Sequence, residues 1–476
     1  MKVPFAGKLV EREKSFSVCD KYSGTVIDSI PLMEPSDVQT AVATALRGLK
    51  DLNVLTGFER QHILLRTADS ILERKQKLVD ILVAETGMTF AQADFEVTRS
   101  SNILRLYAAE ALHLQGEAPT LDADARGKGR HGYSFRVPAG VIAAISAFNN
   151  PLVLLSHKLG PSIVAGDAVV FKPASLTPLA SLEVCMLLLD AGLPPNSLNV
   201  LTGSGETLGP VLAGNPDVRV ITFTGGREVG EQIARVAGVK RLLMELGSNC
   251  PNIVCSDAHL GFAVPNLVDA AYSYQGQNCL HAQRILVQEG VYDEFRERFI
   301  DTAARLRMGD PKSASTDIGP MISESAAKRV EAWVNEAKDL GAKVLLGGTR
   351  SGVMYKPTLL EEVPAKAKVM VDEIFGPVSC LIKFSNIQEA VKIANTTEYG
   401  LQAAIFTNRL DNTFYAIKNL EFGGIKVNES TDIRLDIIPF GGFKASGLGR
   451  EGLRHTVEAM SDVKMIVYNL SNINPN

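Results

Sequence analysis

The residues with the clearest potential for chemistry surround Cys279, in the run Gln275-Gly276-Gln277-Asn278-Cys279. A cysteine attacks as its thiolate, and a neighbouring cation or a helix N-terminus lowers the pKa that controls this step. Gly276 and Asn278 favour a turn, and the apolar residues 285–287 predict a buried strand just after it. Cys279 is therefore expected at a turn or helix end, where backbone N–H groups can face a developing oxyanion. A free cysteine is more often a small buried apolar residue, so this segment alone does not establish a nucleophile.

Two further polar residues follow predicted strands. Glu245 lies in the apolar run 242–246, where burial would raise the pKa of its carboxyl group and suit it to act as a base. Asn149 comes after a strand predicted at Val141–Ile145, and an amide in that position can donate to an oxyanion. The alternatives are a paired structural glutamate and a turn-forming asparagine before Pro151.

Two segments have the composition of a ribose or phosphate site. Phe223-Thr224-Gly225-Gly226 follows a predicted strand and opens a helix, whose free N–H groups favour an anion. The segment is not a GxGxxG motif, so a structural turn is an equal alternative. Lys172, in Phe171-Lys172-Pro173-Ala174-Ser175, lies at a strand end, the position where open α/β sheets bind ligands. A solvated lysine is the alternative there.

These candidates lie at the ends of strands in a regular alternation of strands and helices. The apolar runs are at residues 141–145, 168–171, 198–201, 220–223 and 242–246. The helical segments between them are near residues 152–164, 178–191, 205–214 and 227–237. This alternation predicts a parallel, doubly wound α/β sheet. A second alternation predicts another α/β domain, with strands at residues 253–254, 284–288, 343–346, 379–384 and 403–407.

Other elements are predicted from local patterns. Helical periodicity indicates helices near residues 36–52, 58–86 and 91–116. Thr177-Pro178 predicts a helix start with the threonine hydroxyl as N-cap and proline in the first turn. Residues 119–135 are polar and rich in glycine, and they are either a linker or, preferably, a projecting hairpin that pairs with another subunit.

Length and composition limit the class of protein. A chain of 476 residues, 46% hydrophobic and 21% charged, is expected to form two or three globular domains. The net charge of −4 and the lack of a basic block argue against a nucleic-acid partner. The six cysteines have neither the spacing of a metal site nor that of a disulfide framework. With no signal peptide or bilayer-spanning run recognised, we expect a cytoplasmic protein without a metal or a membrane partner.

Taken together and in order, the motifs resemble the NAD(P)-dependent aldehyde dehydrogenase superfamily. The resemblance rests on Asn149 after an aromatic residue, Phe171-Lys172-Pro173-Ala174-Ser175, Phe223-Thr224-Gly225-Gly226, Glu245-Leu246-Gly247, Gly276-Gln277-Asn278-Cys279, Glu373-Ile374-Phe375-Gly376-Pro377 and Pro439-Phe440-Gly441-Gly442-Phe443-Lys444-Ala445-Ser446-Gly447. These motifs extend over nearly the whole chain, which makes chance agreement implausible.

The resemblance implies a mechanism. Cys279 would attack an aldehyde to form a thiohemiacetal, whose oxyanion is held by Asn149 and a backbone N–H. Hydride would pass to a nicotinamide, and Glu245 would activate the water that hydrolyses the resulting thioester. The segment 441–447 would form a buried turn near the site, with the Glu451 carboxylate behind it.

The resemblance also implies NAD or NADP as the cofactor. The residues implied to bind it are Ser146, Phe148, Lys172, Ser175, Gly225, Gly226, Leu246, Glu373 and Phe375. Three departures from the family pattern matter. Ala147-Phe148 replaces the commoner Pro-Trp, and Gly226 replaces a common serine. Ser175 replaces the glutamate with which NAD-restricted members bind the adenosine ribose, so we expect both nucleotides to be used.

Within the superfamily, residues 156–161 and 431–436 resemble the branch that includes lactaldehyde, non-phosphorylating glyceraldehyde-3-phosphate and phosphonoacetaldehyde dehydrogenases. A small polar or anionic aldehyde is therefore expected as substrate. The residues expected to bind it are Arg105, His157, Asn278 and Arg434. Arg105 and His157 are expected to face the substrate entrance together, and a cationic pocket would favour an anion. Structural ion pairs of Arg105 and Arg434 are an equal alternative.

Other functions stay open at this point. The alternatives are an aldehyde dehydrogenase for aromatic or aliphatic aldehydes, a CoA-acylating aldehyde dehydrogenase, a thiol hydrolase and a non-enzymatic homologue. CoA-acylating members lack the base glutamate, so the presence of Glu245 favours hydrolysis. Intact Cys279, Glu245 and Asn149 argue against a non-enzymatic role.

The family fold implies three parts. A Rossmann-type dinucleotide-binding domain would comprise residues 1–118 and 140–247, and an α/β catalytic domain residues 248–448. A small β oligomerisation element would comprise residues 119–139 and the C-terminal tail 449–476. The tail segment 465–468 has strand character and could extend a neighbour's sheet. A homodimer or homotetramer is expected by resemblance.

Overall fold

Two open sheets organise the computed structural model, which describes residues 1–470. In spatial order, the strands of the six-stranded sheet are Gly447–Leu448, Arg241–Glu245, Val218–Thr224, Val141–Ile145, Ala168–Lys172 and Leu198–Val200. The Gly447–Leu448 strand is antiparallel to its neighbour, and the other strands run parallel. The strand order reverses between Val141–Ile145 and Val218–Thr224, which is where doubly wound sheets bind ligands.

The helices between these strands confirm the predicted α/β alternation. They are Pro151–Ala165, Leu179–Asp190, Gly205–Gly214 and Arg227–Ala237. Every residue of the strands Val141–Ile145 and Ala168–Lys172 is buried. A parallel sheet covered on both faces requires such unbroken apolar strands, which explains why the sequence pattern was clear.

The second sheet has seven strands and follows the second predicted alternation. In spatial order they are Lys343–Leu346, Thr358–Glu361, Val378–Phe384, Arg284–Gln288, Pro251–Val254, Gln402–Phe406 and Gly424–Val427. Only the Lys343–Leu346 edge strand of this sheet is antiparallel to its neighbour. The helices of this half are Leu260–Tyr272, Tyr292–Ala303, Glu324–Asp339, Lys368–Val371, Ile387–Asn395 and Leu410–Asn419. The helix Leu453–Ala459 packs instead against the core of the six-stranded sheet.

The N-terminal part contains the helices Pro35–Val54, Gly57–Glu73, Lys75–Thr86 and Phe90–Glu110. The prediction of one continuous helix over residues 58–86 was wrong, because the chain breaks at Arg74, with φ −99° and ψ 18°. The apolar periodicity continues across this break, so the pattern did not reveal it. Both helices still bury one face in the same core.

The start of the helix Leu179–Asp190 also differs from the prediction. Thr177 does not cap it, since its Oγ1 donates to the backbone oxygen of Phe148 at 3.1 Å. The first-turn N–H groups of Leu179 and Ala180 donate instead to the carboxylate of Glu85, at 2.7 and 2.9 Å. A cap from a distant helix leaves no local sequence signal.

Residues 119–139 do not form the predicted hairpin. They contain one strand, Arg130–Pro138, which pairs antiparallel with Ser461–Asn469 near the C-terminus of the same chain. The tail therefore pairs within its own chain through this segment. Residues 471–476, the last part of the predicted oligomerisation element, lie outside the described residues.

The remaining elements are short. Strand pairs are formed by Val3–Phe5 with Lys8–Val10, Ser15–Cys19 with Val26–Pro31, Arg350–Ser351 with Met354–Tyr355, and Tyr399–Gly400 with Phe443–Lys444. The 3-10 helices are Ala111–His113, Leu121–Ala123, Pro195–Ser197, Ser273–Gly276 and Glu289–Val291. Within residues 1–470, no helix is both long and apolar enough to cross a membrane.

The two sheets have separate apolar cores. The largest core surrounds the six-stranded sheet and includes residues of the N-terminal helices, such as Leu82 and Leu104. Smaller cores surround the seven-stranded sheet, with Ile285 and Phe299 in one of them. Separate cores are what distinct domains require, although the boundaries given above stay a prediction.

Candidate active site

A cavity of about 1420 Å³ is lined by residues from both halves of the chain. Its wall contains Asn149, Glu245 and Cys279, the three residues predicted to carry the chemistry. Ligand pockets for small molecules are typically about 300–1,000 Å³. This cavity therefore has room for more than a small substrate.

Cys279 lies just after the 3-10 helix Ser273–Gly276, on a loop with unusual backbone geometry. Tyr274 and Gln275 have φ angles of 52° and 57°, in the left-handed region. Gly276 lies so close to Gly376 that a Cβ atom would be 2.1 Å from the carbonyl oxygen of Gly376. This close approach fixes the loop that carries the thiol.

The surroundings of Cys279 favour the neutral thiol. The residue is half-buried and packs against the apolar side chains of Leu280, Leu401 and Phe440. Burial raises its pKa well above the ordinary value and the nearby Glu373 adds to this, whereas Arg434 opposes it. A thiolate is the reactive form, so the thiol must lose its proton before the sulfur attacks.

Glu245 is the last residue of the strand Arg241–Glu245, and its side chain is almost fully buried, at 7% exposure. Among residues 1–470, its Oε2 atom has no hydrogen-bond partner. Burial raises the pKa of Glu245 well above the ordinary value, and Glu451 adds to this, against Arg434 and Lys158. An unpartnered carboxyl group with a raised pKa at a cavity wall has the properties of a general base.

A buried charge cluster lies behind Glu245 and consists of His157, Lys158, Arg434, Asp436 and Glu451. Lys158 Nζ lies 3.6 Å from Glu451 Oε1, and Arg434 donates to Glu451 Oε2 at 2.9 Å. Burial raises the pKa of Glu451, but Lys158 and Arg434 outweigh it and lower the value to about 2. Glu451 therefore stays ionised. Glu245 has no comparably close contact with Lys158 or Arg434, and its pKa stays raised.

One end of the cavity fits a phosphate. The helix Arg227–Ala237 begins there, with Gly226 as an N-cap that offers no side-chain hydrogen bond. Of the residues that the structure describes, none has an atom within 4 Å of a Cβ atom at Gly226, so the space in front of these N–H groups is open. Free N–H groups at a helix N-terminus bind anions. Gly225 is held by its N–H, which donates to the backbone oxygen of Glu245 at 3.1 Å.

Lys172 and Ser175 line the same end of the cavity. Burial lowers the pKa of Lys172 to about 8, and its ammonium donates to the backbone oxygen of Pro173 at 3.0 Å. Ser175 donates to the backbone oxygen of Gly203 at 2.5 Å. A buried lysine with one carbonyl partner has donors left for ribose hydroxyl or phosphate oxygens.

Towards Cys279, the cavity is shaped by Glu373 and two aromatic rings. Glu373 accepts from the backbone N–H of Ser248 at 2.8 Å, and burial raises its pKa to about 7. A Cβ atom at Gly247 would lie 2.5 Å from Glu373 Oε2, so this approach requires glycine. The rings of Phe148 and Phe375 meet edge to face, with centroids 5.6 Å apart.

All the residues implied to bind a dinucleotide lie in the wall of this one cavity, including Ser146 and Leu246. Ser146 Oγ is buried and has no hydrogen-bond partner within the described part of the chain. A large cavity with an open helix N-terminus and an unpartnered hydroxyl group in its wall fits a nicotinamide dinucleotide.

The structure places two of the four residues expected at the substrate in the cavity wall and the other two outside it. Asn278 and Arg434 line the cavity, and Asn278 donates to Asp432. Arg105 does not line it, because it forms an exposed ion pair with Asp69. His157 does not line it either, since it is fully buried between Tyr107 and Asp436. Arg105 and His157 thus do not face a common entrance.

Arg99, which lies on the same helix as Arg105, does line the cavity. The sequence patterns did not single it out. Its guanidinium donates to both carboxylate oxygens of Asp436, at 2.9 Å to Oδ2 and 2.7 Å to Oδ1. Arg434 lies on the other side of the same carboxylate, with Nε 3.9 Å from Oδ1. Asp436 therefore connects Arg99 and Arg434, two of the four arginines that residues 1–470 place in the cavity wall, the others being Arg227 and Arg329.

Comparisons with known proteins identify the family. The family model "Aldehyde dehydrogenase family" matches residues 9–466. Lactaldehyde dehydrogenase of Methanocaldococcus jannaschii is 39% identical over 465 residues, which cover 97% of this chain and 98% of that protein.

Solved structures agree. The structure of aldehyde dehydrogenase 21 from Physcomitrella patens, in complex with the reaction product succinate, has a TM-score of 0.96 at 36% identity and covers 99% of each chain. That of glyceraldehyde-3-phosphate dehydrogenase GapN from M. jannaschii, complexed with NADP, has a TM-score of 0.93 at 38% identity. It covers 97% of this chain and 100% of that one.

The chain belongs to the aldehyde dehydrogenase family. The resemblance seen in the sequence motifs, including the branch that they indicated, is confirmed. The protein is an NAD(P)-dependent enzyme that oxidises an aldehyde.

Proposed function

We propose that the enzyme oxidises a small polar or anionic aldehyde to the carboxylic acid through a thioester on Cys279. The observation that carries this proposal is the wall of the cavity, where a cysteine, an amide and an unpartnered carboxyl group lie together. Relatives that act on lactaldehyde and glyceraldehyde 3-phosphate support the size and polarity of the substrate.

In the first half of the reaction, the Cys279 thiol gives up its proton and the sulfur attacks the aldehyde carbon. That proton passes to the solvent, so that Glu245, with its unpartnered Oε2, is still free to act in the second half of the reaction. The Asn149 side chain and the Cys279 backbone N–H donate to the oxyanion of the thiohemiacetal, because donors placed in advance stabilise developing charge.

Loss of hydride from the thiohemiacetal carbon converts the adduct on Cys279 into a thioester, and a bound nicotinamide nucleotide would supply the acceptor for that hydride. In the second half of the reaction, Glu245 takes a proton from water as the water attacks the thioester carbon. The acid is released and the thiol of Cys279 is restored. The raised pKa of Glu245 suits it to take this proton from water and to return it to the sulfur of Cys279.

Chain residues along the cavity are proposed to hold the nucleotide. Lys172 and Ser175 would contact the adenosine ribose, and Gly225 and Gly226 would lie at the pyrophosphate, in front of the helix Arg227–Ala237. At the other end, Glu373 and Phe375 would contact the nicotinamide ribose, with Ser146, Phe148 and Leu246 along the wall.

The arginines of the cavity support a polar or anionic substrate. Arg434 Nε has no hydrogen-bond partner among the described residues, so a buried donor is left for a substrate oxygen. Arg99 adds a second positive charge in the wall, although Asp436 compensates part of it. The reaction product of the relative from Physcomitrella patens is succinate, which has two acid groups and so supports an anionic substrate.

An oligomer is also proposed. The strands Arg130–Pro138 and Ser461–Asn469 form a sheet of only two strands, which is rarely stable by itself. Its exposed apolar side chains are Tyr133, Phe135, Val463, Met465, Val467 and Tyr468. A homodimer or homotetramer that covers this surface is expected. The cytoplasmic location stays a prediction, supported by six cysteines that are all free thiols.

The proposal is tested by offering about twenty aldehydes with NAD or NADP and following nicotinamide absorbance. Small polar and anionic aldehydes should give reduced nucleotide and the free acid without CoA, and Cys279→Ala should abolish both. A requirement for CoA, or the same activity in Cys279→Ala, would show that water does not release a Cys279 thioester.

A further inference from the structure

Glu96 is a buried carboxyl group that the reaction described above does not use. It lies in the helix Phe90–Glu110 and is 1% exposed. Its Oε1 accepts the backbone N–H groups of Leu152 at 2.9 Å and Val153 at 3.4 Å. These N–H groups belong to the first turn of the helix Pro151–Ala165, where no bond within the helix can satisfy them.

A second connection runs from Glu96 to Asn149 itself. Asn150 is the N-cap of that helix but makes no side-chain cap. Its Nδ2 group lies 3.4 Å from Glu96 Oε2 and donates to the backbone oxygen of Asn149 at 2.7 Å. The carboxyl group of Glu96 is therefore linked to the residue that precedes the capped turn.

The rest of the helix Pro151–Ala165 is firmly packed against the helix of Glu96. A Cβ atom at Gly160 would lie 2.8 Å from the ring of Tyr107, and the hydroxyl groups of Ser100 and Ser156 are 2.8 Å apart. These contacts fix the body of the helix, whereas Glu96 fixes its first turn. That turn is the end at which Asn149 enters the cavity.

We infer that Glu96 is a positioning residue, which holds the Asn149 amide at the oxyanion by capping the helix that follows it. The inference rests on the proposed function, in which Asn149 donates to the oxyanion of the Cys279 adduct. Oxyanion donors act only when held within a narrow range of distance and direction. A carboxyl group on a neighbouring helix supplies that restraint here.

The chain contains a matched control. Glu85 is also fully buried and caps another helix, Leu179–Asp190, through the N–H groups of Leu179 and Ala180. Near that helix start, Thr177 and Ser181 donate to the backbone oxygens of Phe148 at 3.1 Å and Pro151 at 3.3 Å, but Glu85 itself accepts from Leu179 and Ala180 and not from the turn that follows Asn149. Loss of either cap should lower stability, since a lost helix cap costs about 0.5–2 kcal/mol. Only loss of the Glu96 cap should displace Asn149.

The test compares Glu96→Ala, Glu96→Gln, Glu85→Ala and Asn149→Ala with the double variant Glu96→Ala/Asn149→Ala. Asn149→Ala should lower kcat about 100-fold, the usual effect of losing an oxyanion donor. Glu96→Ala should lower kcat about 30-fold with the KM for the nucleotide unchanged, because misplacement by about 1 Å costs up to about 100-fold.

The controls separate position from stability. Glu85→Ala should lower Tm as Glu96→Ala does. It should change kcat less than about 3-fold, which is close to the error expected when the effects of independent sites are compared. Glu96→Gln keeps an oxygen for the N–H groups of Leu152 and Val153, so most of kcat should return. In the Asn149→Ala background, Glu96→Ala should have almost no further effect on kcat, because the group that it positions is absent.

Two results would overturn the inference and leave the proposed function intact. One is an equal loss of kcat from Glu96→Ala in the presence and absence of Asn149, and the other is an equal loss from Glu85→Ala. Full activity of Asn149→Ala would instead contradict the proposed role of Asn149. If Glu96→Ala does not fold, Glu96→Asp decides, since its shorter carboxylate should lower kcat only when Asn149 is present.

Discussion

Glu245 and Gly447 are direct partners in an antiparallel strand pair at the edge of the six-stranded sheet. A Cβ atom at Gly447 would lie 2.1 Å from the backbone oxygen of Met244, and its φ angle is 151°. Leu246 also donates its N–H to the backbone oxygen of Ser446, at 3.0 Å. The segment near the C-terminus thus holds the strand end that carries the proposed base.

Gly447→Ala should therefore lower both stability and activity. The added methyl group must push Met244 and Glu245 away, so we expect Tm to fall by several degrees, as ~1–3 kcal/mol of strain would cause in the backbone. Gly341→Ala is the control, because Gly341 also has a positive φ, 112°, but no atom of residues 1–470 lies within 4 Å of the position that its added methyl group would occupy. Equal Tm and kcat in the two variants would contradict the role of this strand pair.

Arg99→Leu should weaken the binding of anionic aldehydes. The change removes a positive charge and leaves Asp436 with less compensation, so KM for succinic semialdehyde should rise at least about 10-fold, the loss of a charge-assisted hydrogen bond. KM for propanal should change little. Arg105→Leu removes an arginine of the same helix that pairs with Asp69 outside the cavity, and it should leave both KM values unchanged. An equal effect of Arg99→Leu on both aldehydes would oppose an anionic substrate.

Ser175→Glu should restrict the enzyme to NAD. The wild-type enzyme is expected to use both nucleotides, because Ser175 carries no charge to repel a 2′-phosphate. A carboxylate there should lower kcat/KM for NADP at least about 30-fold, or about 2 kcal/mol, and spare NAD. Ser175→Ala, which removes the hydroxyl group without adding charge, serves as the control. A wild-type preference of several hundred-fold for NAD would contradict the expectation.

Glu85 should make stability depend on pH. Burial raises its pKa from 4.5 to about 7, against the opposing hydrogen bonds of Ala180 and Leu179. Between these two values the folded state binds a proton that the unfolded state has lost, so stability falls as pH rises. In Glu85→Gln this contribution is absent, and its unfolding free energy relative to wild type should increase by about 3 kcal/mol between about pH 4.5 and about pH 8. Urea titrations at several pH values measure the difference, and a constant difference would refute the raised pKa.

The sequence predicted the strands and helices of the first sheet well, because strands buried on both faces are unbroken apolar runs. It failed where a contact with a distant segment decides the local structure. The carboxylates of Glu85 and Glu96 cap helices that are more than fifty residues away, as the separations of 94 and 56 residues show. The strand Arg130–Pro138 likewise pairs with the C-terminal segment, a pairing that no local pattern indicates.

The same limit applies to the site. Motifs identified the residues along the cavity, since each lies at a strand end or in a characteristic turn. The choice between Arg99 and Arg105 was different, because both lie on one helix. Six residues at about 100° each turn the side chain by about 240° in total, so only one of the two can face the cavity. Other elements form the cavity, so helical periodicity alone does not show which side of the helix faces it.

The central claim is that water releases an acyl group from Cys279 with the help of Glu245. Its most direct test is peptide mass spectrometry of Glu245→Gln mixed with nucleotide and a reactive aldehyde. The account predicts about one reduced nucleotide per subunit, a steady-state rate at least about 100-fold below wild type, and an acyl group on the peptide that contains Cys279. An unmodified Cys279 peptide after that single turnover, or wild-type turnover in Glu245→Gln, would contradict it.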